Sequence, residues 1–565
     1  MTSSSSNNVL VVLFGAGKIG RAALNYAKTF KINIDYVVDN NEGLWGKDIY
    51  GFPVCSPDIL RKKQKYSVIV AVSQKFYPEI KNQLTEMGLV EDKDFLEFRK
   101  VFPLEIDNFG FASGVVDLGS GFTSVKSLSA NRLGISKDRR LVYRFADQEQ
   151  APELLEIYNR CSDAGIFGKY LVNTKCLNKG DGAPLRLEHE FIPLFSYAVE
   201  WSPKMFFAYT QFMIAFLSEI DCIGLGWRDA HAFNATFHKG KFVFFDFDAL
   251  CLGKTSGYRI QEFIHNHIII LLMMEKNLIS RSYLYLDNAG VIPSIMDVSG
   301  YLSDDELERY KNMERECQRL SSAGDIQGCC AVLKEYVSEI QIPRMAESKW
   351  GGYQDELYDT KAETEWSDKQ REVIQMIRSV GPKTLLDLAG NMGWYEFTVH
   401  NELERCIVAD LDCKCIDFVY QYAVDHSIEN VYPVYLNLVT PTTAYYKDTH
   451  IGDTSIIPWR KSAIDRFKSE MVLALAVVHH LAFAQQLSFE EIIGQFALYT
   501  DKWLIIEFME RHDSCVEPAL KNKYFDWYTQ DNFECALNKQ FRVISSVHSE
   551  STRILYLCEK KDIHE

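Results

Sequence analysis

The sequence predicts an α/β multidomain protein, on three observations. Two glycine turns, one near each end of the chain, lie between an apolar strand and the start of a helix. Each turn is followed by a second apolar strand that closes on an aspartate, Asp39 in one case and Asp410 in the other. At 565 residues the chain has room for about three domains of ~150 residues each. A hydrophobic content of 47% with 24% charged residues is that of a globular protein with a sizeable core.

The first part is read as residues 1–103. Val9–Lys28 gives a strand, a Gly15-x-Gly17-x-x-Gly20 turn and an amphipathic helix, and the strand after it ends in Asp39. Nineteen residues separate Gly20 from Asp39, the spacing of a ribose-binding acid. GFPVCSPDIL and YSVIVAVS continue the alternation, as in a Rossmann-type half-fold. Two readings stand side by side. Gly15, Gly17, Gly20 and Asp39 bind NAD(P) or a nucleotide-sugar, or the glycines only permit close strand–helix packing. Residues 1–100 hold no histidine, which argues against oxidoreductase chemistry there. This part resembles small nucleotide-binding domains attached to sugar-modifying and capsule-synthesis proteins.

The second part is read as residues 104–345. Its centre is Gly226–Leu250, GWRDAHAFNATFHKGKFVFFDFDAL. Asn234 follows Asp229 by five residues, and Asp246 follows Asn234 by twelve, at the end of an apolar strand. His238–Gly240 suits a hairpin turn. In a protein-kinase-like loop the first aspartate orients the substrate hydroxyl, while the asparagine and second aspartate hold Mg²⁺ against nucleotide phosphates. The segment resembles the aminoglycoside-phosphotransferase-like branch of the kinase fold. That resemblance implies ATP and Mg²⁺, with Asn234 and Asp246 as the metal ligands. Against phosphoryl transfer, Leu141–Asp147 carries Arg144 where a lysine is expected, and GSGF at Gly119–Phe122 is the nearest approach to a glycine-rich loop. A scaffold that only positions an acceptor is the other reading.

The third part is read as residues 346–565, with a boundary near Pro343–Gly352. WGGYQDELY and the helix in Thr364–Gly381 lead into it; Val373, Met376, Ile377 and Val380 recur at helical spacing. Thr384–Gly393 reads as a strand, Asp387 and a turn with Gly390 and Gly393. Such a turn before a helix N-terminus brings backbone close to a nucleotide-like ligand. The next strand ends in Asp410, seventeen residues after Gly393, where a ribose is held. The turn is not a full G-x-G-x-x-G, which points away from a dinucleotide and towards S-adenosylmethionine. Glu470–Leu481 reads as a fourth strand closed by His479 and His480, and Trp503–Phe508 as a fifth ending at Glu507. Two terminal strands follow.

This succession resembles the class I S-adenosylmethionine-dependent methyltransferases. More narrowly, it resembles the nodulation-protein NoeA-like group, which pairs a strand ending ALA-x-x-HHLA with a later LIIEF strand. The resemblance runs from about Leu187 to the C-terminus and implies a Rossmann-like seven-stranded sheet. It implies cofactor contacts at Asp387, Gly390, Gly393 and Asp410. It also places Asn437 on the adenine side, where the family pattern has an aspartate. A hydroxyl acceptor needs a base, and histidine, with a pKa near ~6.5, is suited to take its proton. If both histidines lie on the strand, they point to opposite sides and only one faces the acceptor, His480 in this reading. Glu507 orients a histidine, binds a metal, holds acceptor hydroxyls or caps loop amides.

The families suggest a carbohydrate acceptor: a surface polysaccharide, a lipid-linked glycan or a nucleotide-sugar. A bifunctional kinase–methyltransferase is one alternative, and a docking module within a complex of glycan-biosynthesis enzymes is another. A net charge of −16 and a pI near 5.4 argue against a nucleic-acid partner. The 14 cysteines lack zinc-site spacing and read as reduced thiols. Met1–Asn8 has no basic n-region, and runs such as Ile268–Met274 are far short of the ~20 residues of a membrane span. A cytoplasmic protein is expected.

Overall fold

The computed structural model describes residues 10–17, 20, 23–24, 34–49, 51–61, 65–72, 76–97, 105–106, 111–117, 122–127, 132–136, 141–146, 151–178, 185–287, 292–342, 362–443, 461–521 and 523–561. Three expectations lie largely outside these residues: the helix running to Lys28, the GSGF turn and the Pro343–Tyr358 junction. The chain divides into two compact units. One comprises Met1–Gly168, Val172–Pro193 and Ala444–Lys461; the other comprises Lys169–Leu171, Leu194–Thr443 and Ser462–Glu565.

The first unit holds two sheets. In one, Leu10–Phe14 lies between Tyr36–Val38 and Tyr66–Val70, parallel to both. Phe52–Cys55 and Phe95–Glu97 extend it in parallel, and Asp48–Ile49 adds an antiparallel edge. Leu13 enters one core cluster, with Ala23, Leu24 and Val37. Val12 and Phe14 enter another, with Leu60, Ile80 and Leu84. Alternation along the strand therefore feeds two buried faces, which explains its unbroken apolar run. Two of the three glycines are packed too closely for a side chain. A Cβ on Gly20 would sit 1.7 Å from the Gly15 carbonyl oxygen, and one on Gly15 (φ +113°) would sit 2.5 Å from the Ala71 oxygen. The other sheet is a seven-stranded antiparallel meander from Glu105–Ile106 to Leu185–Glu190, with Thr174–Asn178 on its far edge. Leu141–Ala146 lies within it and buries Arg144.

The second unit combines a helical region with the C-terminal sheet. The helix Pro203–Cys222 begins at Ser202, whose hydroxyl accepts the Met205 amide at 3.4 Å. It packs Tyr209 against Trp201 and Phe242. The hairpin of Ala235–His238 and Lys241–Phe244 turns through Lys239 (φ 49°) and Gly240 (φ 74°). Two successive left-handed residues are what a type I′ hairpin requires.

In the C-terminal part the helix Asp368–Val380 has a capping box between Ser367 and Gln370 and stops at Gly381 (φ 56°). Seven strands follow: β1 Thr384–Asp387, β2 Arg405–Asp410, β3 Val431–Tyr435, β4 Ser469–Ala474, β5 Thr500–Met509, β6 Phe541–Glu550 and β7 Arg553–Lys560. Their spatial order is β3-β2-β1-β4-β5-β7-β6. The first five are parallel, and β7 runs antiparallel between β5 and β6. Strand order reverses between β1 and β4, and the crevice beyond that point is where an open α/β sheet binds ligands.

The two regions of this unit share a buried ion pair. Arg466 donates to Glu200 Oε2 at 2.8 Å, to Glu200 Oε1, and to the Phe195 carbonyl at 2.7 Å. Both side chains are almost wholly buried, and the guanidinium also lies 4.6 Å from the Tyr197 ring centroid.

Candidate functional site

The C-terminal edge of β1, β2, β4 and β5 gathers the predicted residues. Asp387 ends β1 and is buried, its Oδ1 accepting the Ala389 amide at 3.4 Å. Burial pushes its carboxyl up to about 7, and the neighbouring Asp410 adds to the rise. The turn then uses three special positions. Gly390 lies so close to β2 that a Cβ would meet Val408 Cγ1 at 2.8 Å; Asn391 (φ 49°) and Gly393 (φ 74°) are left-handed. Asp410 ties the turn down: Oδ2 accepts the Asn391 amide at 2.9 Å and Oδ1 the Asp412 amide at 2.8 Å. A carboxylate has about four acceptor sites, so each oxygen keeps capacity for a ligand hydroxyl. Asn437 lies just beyond β3, its Oδ1 accepting the Val439 amide at 2.9 Å in an Asx turn.

The histidine pair is not on a strand, contrary to expectation. β4 ends at Ala474, and His479 and His480 open the helix Val478–Ala484. The reason is Ala476, whose positive φ of 51° breaks the strand. Helical neighbours are rotated by about 100° rather than 180°, so the two rings share a side, with centroids 3.9 Å apart. His479 is buried, and burial followed by the charge of His480 lowers its pKa to about 3. It is therefore neutral and a weak base. His480 is half-buried.

Glu507 lies just past the last parallel pair of β4 and β5, Ala474 with Ile506. Its Oε2 accepts Lys369 Nζ at 2.7 Å and the Ala476 amide at 2.8 Å. It thus holds the turn leading to the histidines by capping the Ala476 amide. Its Oε1 is buried and has no hydrogen-bond partner among the described residues.

Several residues escaped the sequence reading. Lys369 is one surface position of an amphipathic helix in the primary sequence. Glu396, on the short helix Trp394–Val399, is fully buried, and no side chain among the described residues hydrogen-bonds its carboxylate. Burial, reinforced by Asp387, raises its pKa well above the usual range. Arg553 donates to Asp513 Oδ2 at 3.0 Å across the β5–β7 edge. A buried glutamate inside an ordinary helical pattern gives no signal in the sequence.

In the helical region the three predicted loop residues do converge. The Asn234 carbonyl accepts the Phe245 amide at 3.0 Å, beside Asp246, and Asn234 Nδ2 donates to the Asp229 carbonyl at 3.4 Å. Asp229 Oδ2 pairs with His231 Nε2 at 3.2 Å. Burial acts to raise the Asp229 pKa, but the His231 bond and charge outweigh it and hold the carboxyl low. Asp246 Oδ1 accepts the Asp248 amide at 3.1 Å. Among the described residues, no group of three or more His, Cys, Asp or Glu is arranged to hold a metal ion.

In the N-terminal sheet, Asp39 holds the glycine turn in the way Asp410 holds its own. Oδ2 accepts the Ala16 amide at 2.6 Å and Oδ1 the Asn41 amide at 2.8 Å. A Cβ on Gly17 would meet nothing within 4 Å among the described residues. Tyr77 and Lys81 have the Tyr-x-x-x-Lys spacing, but Glu91 engages both, at 2.8 and 2.5 Å.

Residues 7–95 match a family described as C2185-like, N-terminal. Nodulation protein NoeA of Rhizobium meliloti (strain 1021) is 25% identical over 403 residues, covering 66% of this chain and 82% of that protein. The chain is similar to NoeA over that span. Among solved structures, the N-methyltransferase NodS of Bradyrhizobium japonicum WM9 aligns with 34% of this chain and 96% of its own, at 10% identity and a TM-score of 0.25. Magnesium protoporphyrin IX methyltransferase of Synechocystis PCC 6803 aligns with 34% of this chain and 82% of its own, at 11% identity and a TM-score of 0.24. Among the described residues, no helix is long and apolar enough to cross a membrane.

Proposed function

We propose that this chain is an S-adenosylmethionine-dependent methyltransferase acting on a hydroxyl of a carbohydrate or nucleotide-sugar. The observation that carries it is the Asp387–Gly393 turn locked to Asp410 at the reversal point of the sheet. The residues there fit the cofactor: Asp410 keeps acceptor capacity after binding two amides, on a turn whose Gly390 packs directly against Val408 of β2. Asp410 takes the ribose hydroxyls, Asn437 Nδ2 the adenine side, and ionised Asp387 balances positive charge. The cofactor supplies an activated methyl group and a neutral leaving group. The acceptor proton goes to His480, since His479 is too weakly basic. Glu507 keeps the histidine turn in place through Ala476. The carbohydrate class rests on the family resemblance.

Isothermal titration of the full chain with S-adenosylmethionine tests this reading. Micromolar binding is expected, with a loss of at least about tenfold in Asp410→Ala, which removes a charge-assisted contact worth ~1.5–3 kcal/mol. A folded wild-type protein that binds no S-adenosylmethionine sinks it.

A second activity, phosphorylation of the same acceptor, is favoured by one specific observation: Asn234 is hydrogen-bonded to the Asp229 carbonyl and to the Phe245 amide, next to Asp246. Mg²⁺ with ATP is then expected to raise the melting temperature, and Asp246→Asn to abolish the shift. No shift in the wild type leaves the loop as a positioning element for the acceptor or a docking partner.

A further inference from the structure

Asp410 and Asn437 lie at one margin of the C-terminal sheet. Strand β3 is its edge, paired with β2 on one side only, yet Val431, Tyr432, Pro433 and Val434 are all buried. Part of the cover comes from the helical region. The Tyr432 hydroxyl meets His238 Nδ1 at 3.4 Å, and the Tyr435 ring lies 4.6 Å from that of Tyr283. We propose that the helical region completes the cofactor site through Tyr283, a positioning residue that fixes the ends of β2 and β3, and with them Asp410 and the Asn437 turn. The inference rests on the S-adenosylmethionine reading of that edge.

Tyr283 is on the helix Ile279–Leu286 and is buried. Its hydroxyl donates to the Trp201 carbonyl at 2.8 Å, next to Ser202, the cap of the long helix Pro203–Cys222. Burial raises the phenol's pKa well above its usual range, so it keeps its proton and stays a donor. The ring is thus anchored on its own side before it touches the sheet.

From that anchor Tyr283 reaches both strand ends. Tyr435 is the register partner of Asp410, and the Leu436 amide after it donates to the Asp410 carbonyl at 2.9 Å. The Tyr283 oxygen also lies 3.7 Å from Sγ of Cys413, 130 residues away in sequence. Cys413 opens the helix Cys413–Asp425, and its cap Asp412 donates its amide to Asp410 Oδ1 at 2.8 Å. The segments on either side of Asp410 therefore rest on one side chain. An edge strand has no further ladder to fix its end, so packing decides where that end stands. An O–H···O bond from a ribose hydroxyl spans only about 2.5–3.0 Å, so a small shift of Asp410 lowers affinity.

The same boundary offers a control away from the cofactor. Phe237 meets Tyr420 edge-on at 5.5 Å, about two helical turns beyond Cys413. Phe237→Leu loosens the boundary there and leaves the Tyr283 contacts in place.

Isothermal titration of the full chain with S-adenosylmethionine, at a temperature where circular dichroism shows each variant folded, is the test. Tyr283→Leu is expected to weaken binding at least fivefold. Tyr283→Phe, which keeps the ring against Tyr435, is expected to stay within about twofold of wild type, as is Phe237→Leu. Tyr435→Leu removes the same ring contact from the half-buried side and is expected to match Tyr283→Leu; it decides the matter if that variant does not fold. Wild-type binding that both leucine variants at the Tyr283–Tyr435 contact retain overturns the inference and leaves the S-adenosylmethionine reading standing. An equal loss in Phe237→Leu also overturns it, because the boundary then acts through stability alone. A folded wild type that binds no S-adenosylmethionine sinks the underlying reading, and the inference with it.

Discussion

Replacing Arg466 with alanine is expected to destabilise the second unit by about 3–5 kcal/mol, the cost of breaking a buried ion pair from one side. Glu200 is fully buried and would lose both guanidinium contacts, and the Phe195 carbonyl would lose its donor. Coulomb attraction alone is not the source of the effect. Two charges removed from water gain little net stability as a pair, but one left alone is heavily penalised. The double variant Arg466→Met, Glu200→Gln is therefore expected to recover more than half of the loss. Urea denaturation followed by circular dichroism measures both. A single-variant loss below about 1 kcal/mol, or a double variant no better than the single, contradicts the account. The pair also joins a helical region to a sheet that the sequence separates by more than 200 residues, so the loss should appear in the melting of both.

Asp387 predicts a pH effect of similar size. Its ordinary value is 3.8, and burial raises it to about 7 in the fold. Between those values the folded carboxyl holds a proton that the unfolded chain has released. Stability therefore falls as pH rises through this window, and the full loss is present above pH 7. The gap corresponds to roughly 4 kcal/mol. Asp387→Asn keeps an acceptor for the Ala389 amide but does not ionise. The variant is expected to match wild type near pH 4 and to exceed it by several kcal/mol at pH 8. The same substitution should weaken S-adenosylmethionine binding at pH 8, because a negative charge beside the cofactor is gone. Chemical denaturation at pH 5 and pH 8 provides the check. A stability difference that does not change with pH removes Asp387 as its origin.

The two predictions differ in how far the sequence foresaw them. Asp387 was visible because it ends an apolar strand before a glycine turn, a local pattern with one conformational solution. Asp410, Gly381 and the Lys239–Gly240 hairpin were legible for the same reason: each depends on a few neighbouring residues. The Glu200–Arg466 pair was invisible, because no local rule links positions so far apart. His479 and His480 were misplaced by a single residue, Ala476. A run of Ala, Leu and Val reads as strand until one backbone angle turns positive, and the Glu507 and Lys369 contacts that hold that turn come from distant segments.

From local patterns alone, then, the sequence by itself determined that this protein is α/β, where its glycine turns lie and which aspartates close the strands after them. Periodicity, caps and left-handed positions are set by short-range sterics and hydrogen bonding. The tertiary structure alone decided what those groups do: that Asp39 holds its own turn, that Glu396 is fully buried, and that the histidines lie side by side on a helix. Burial and charge pairing depend on which segments the fold brings together, and they set the protonation and reach of every candidate group.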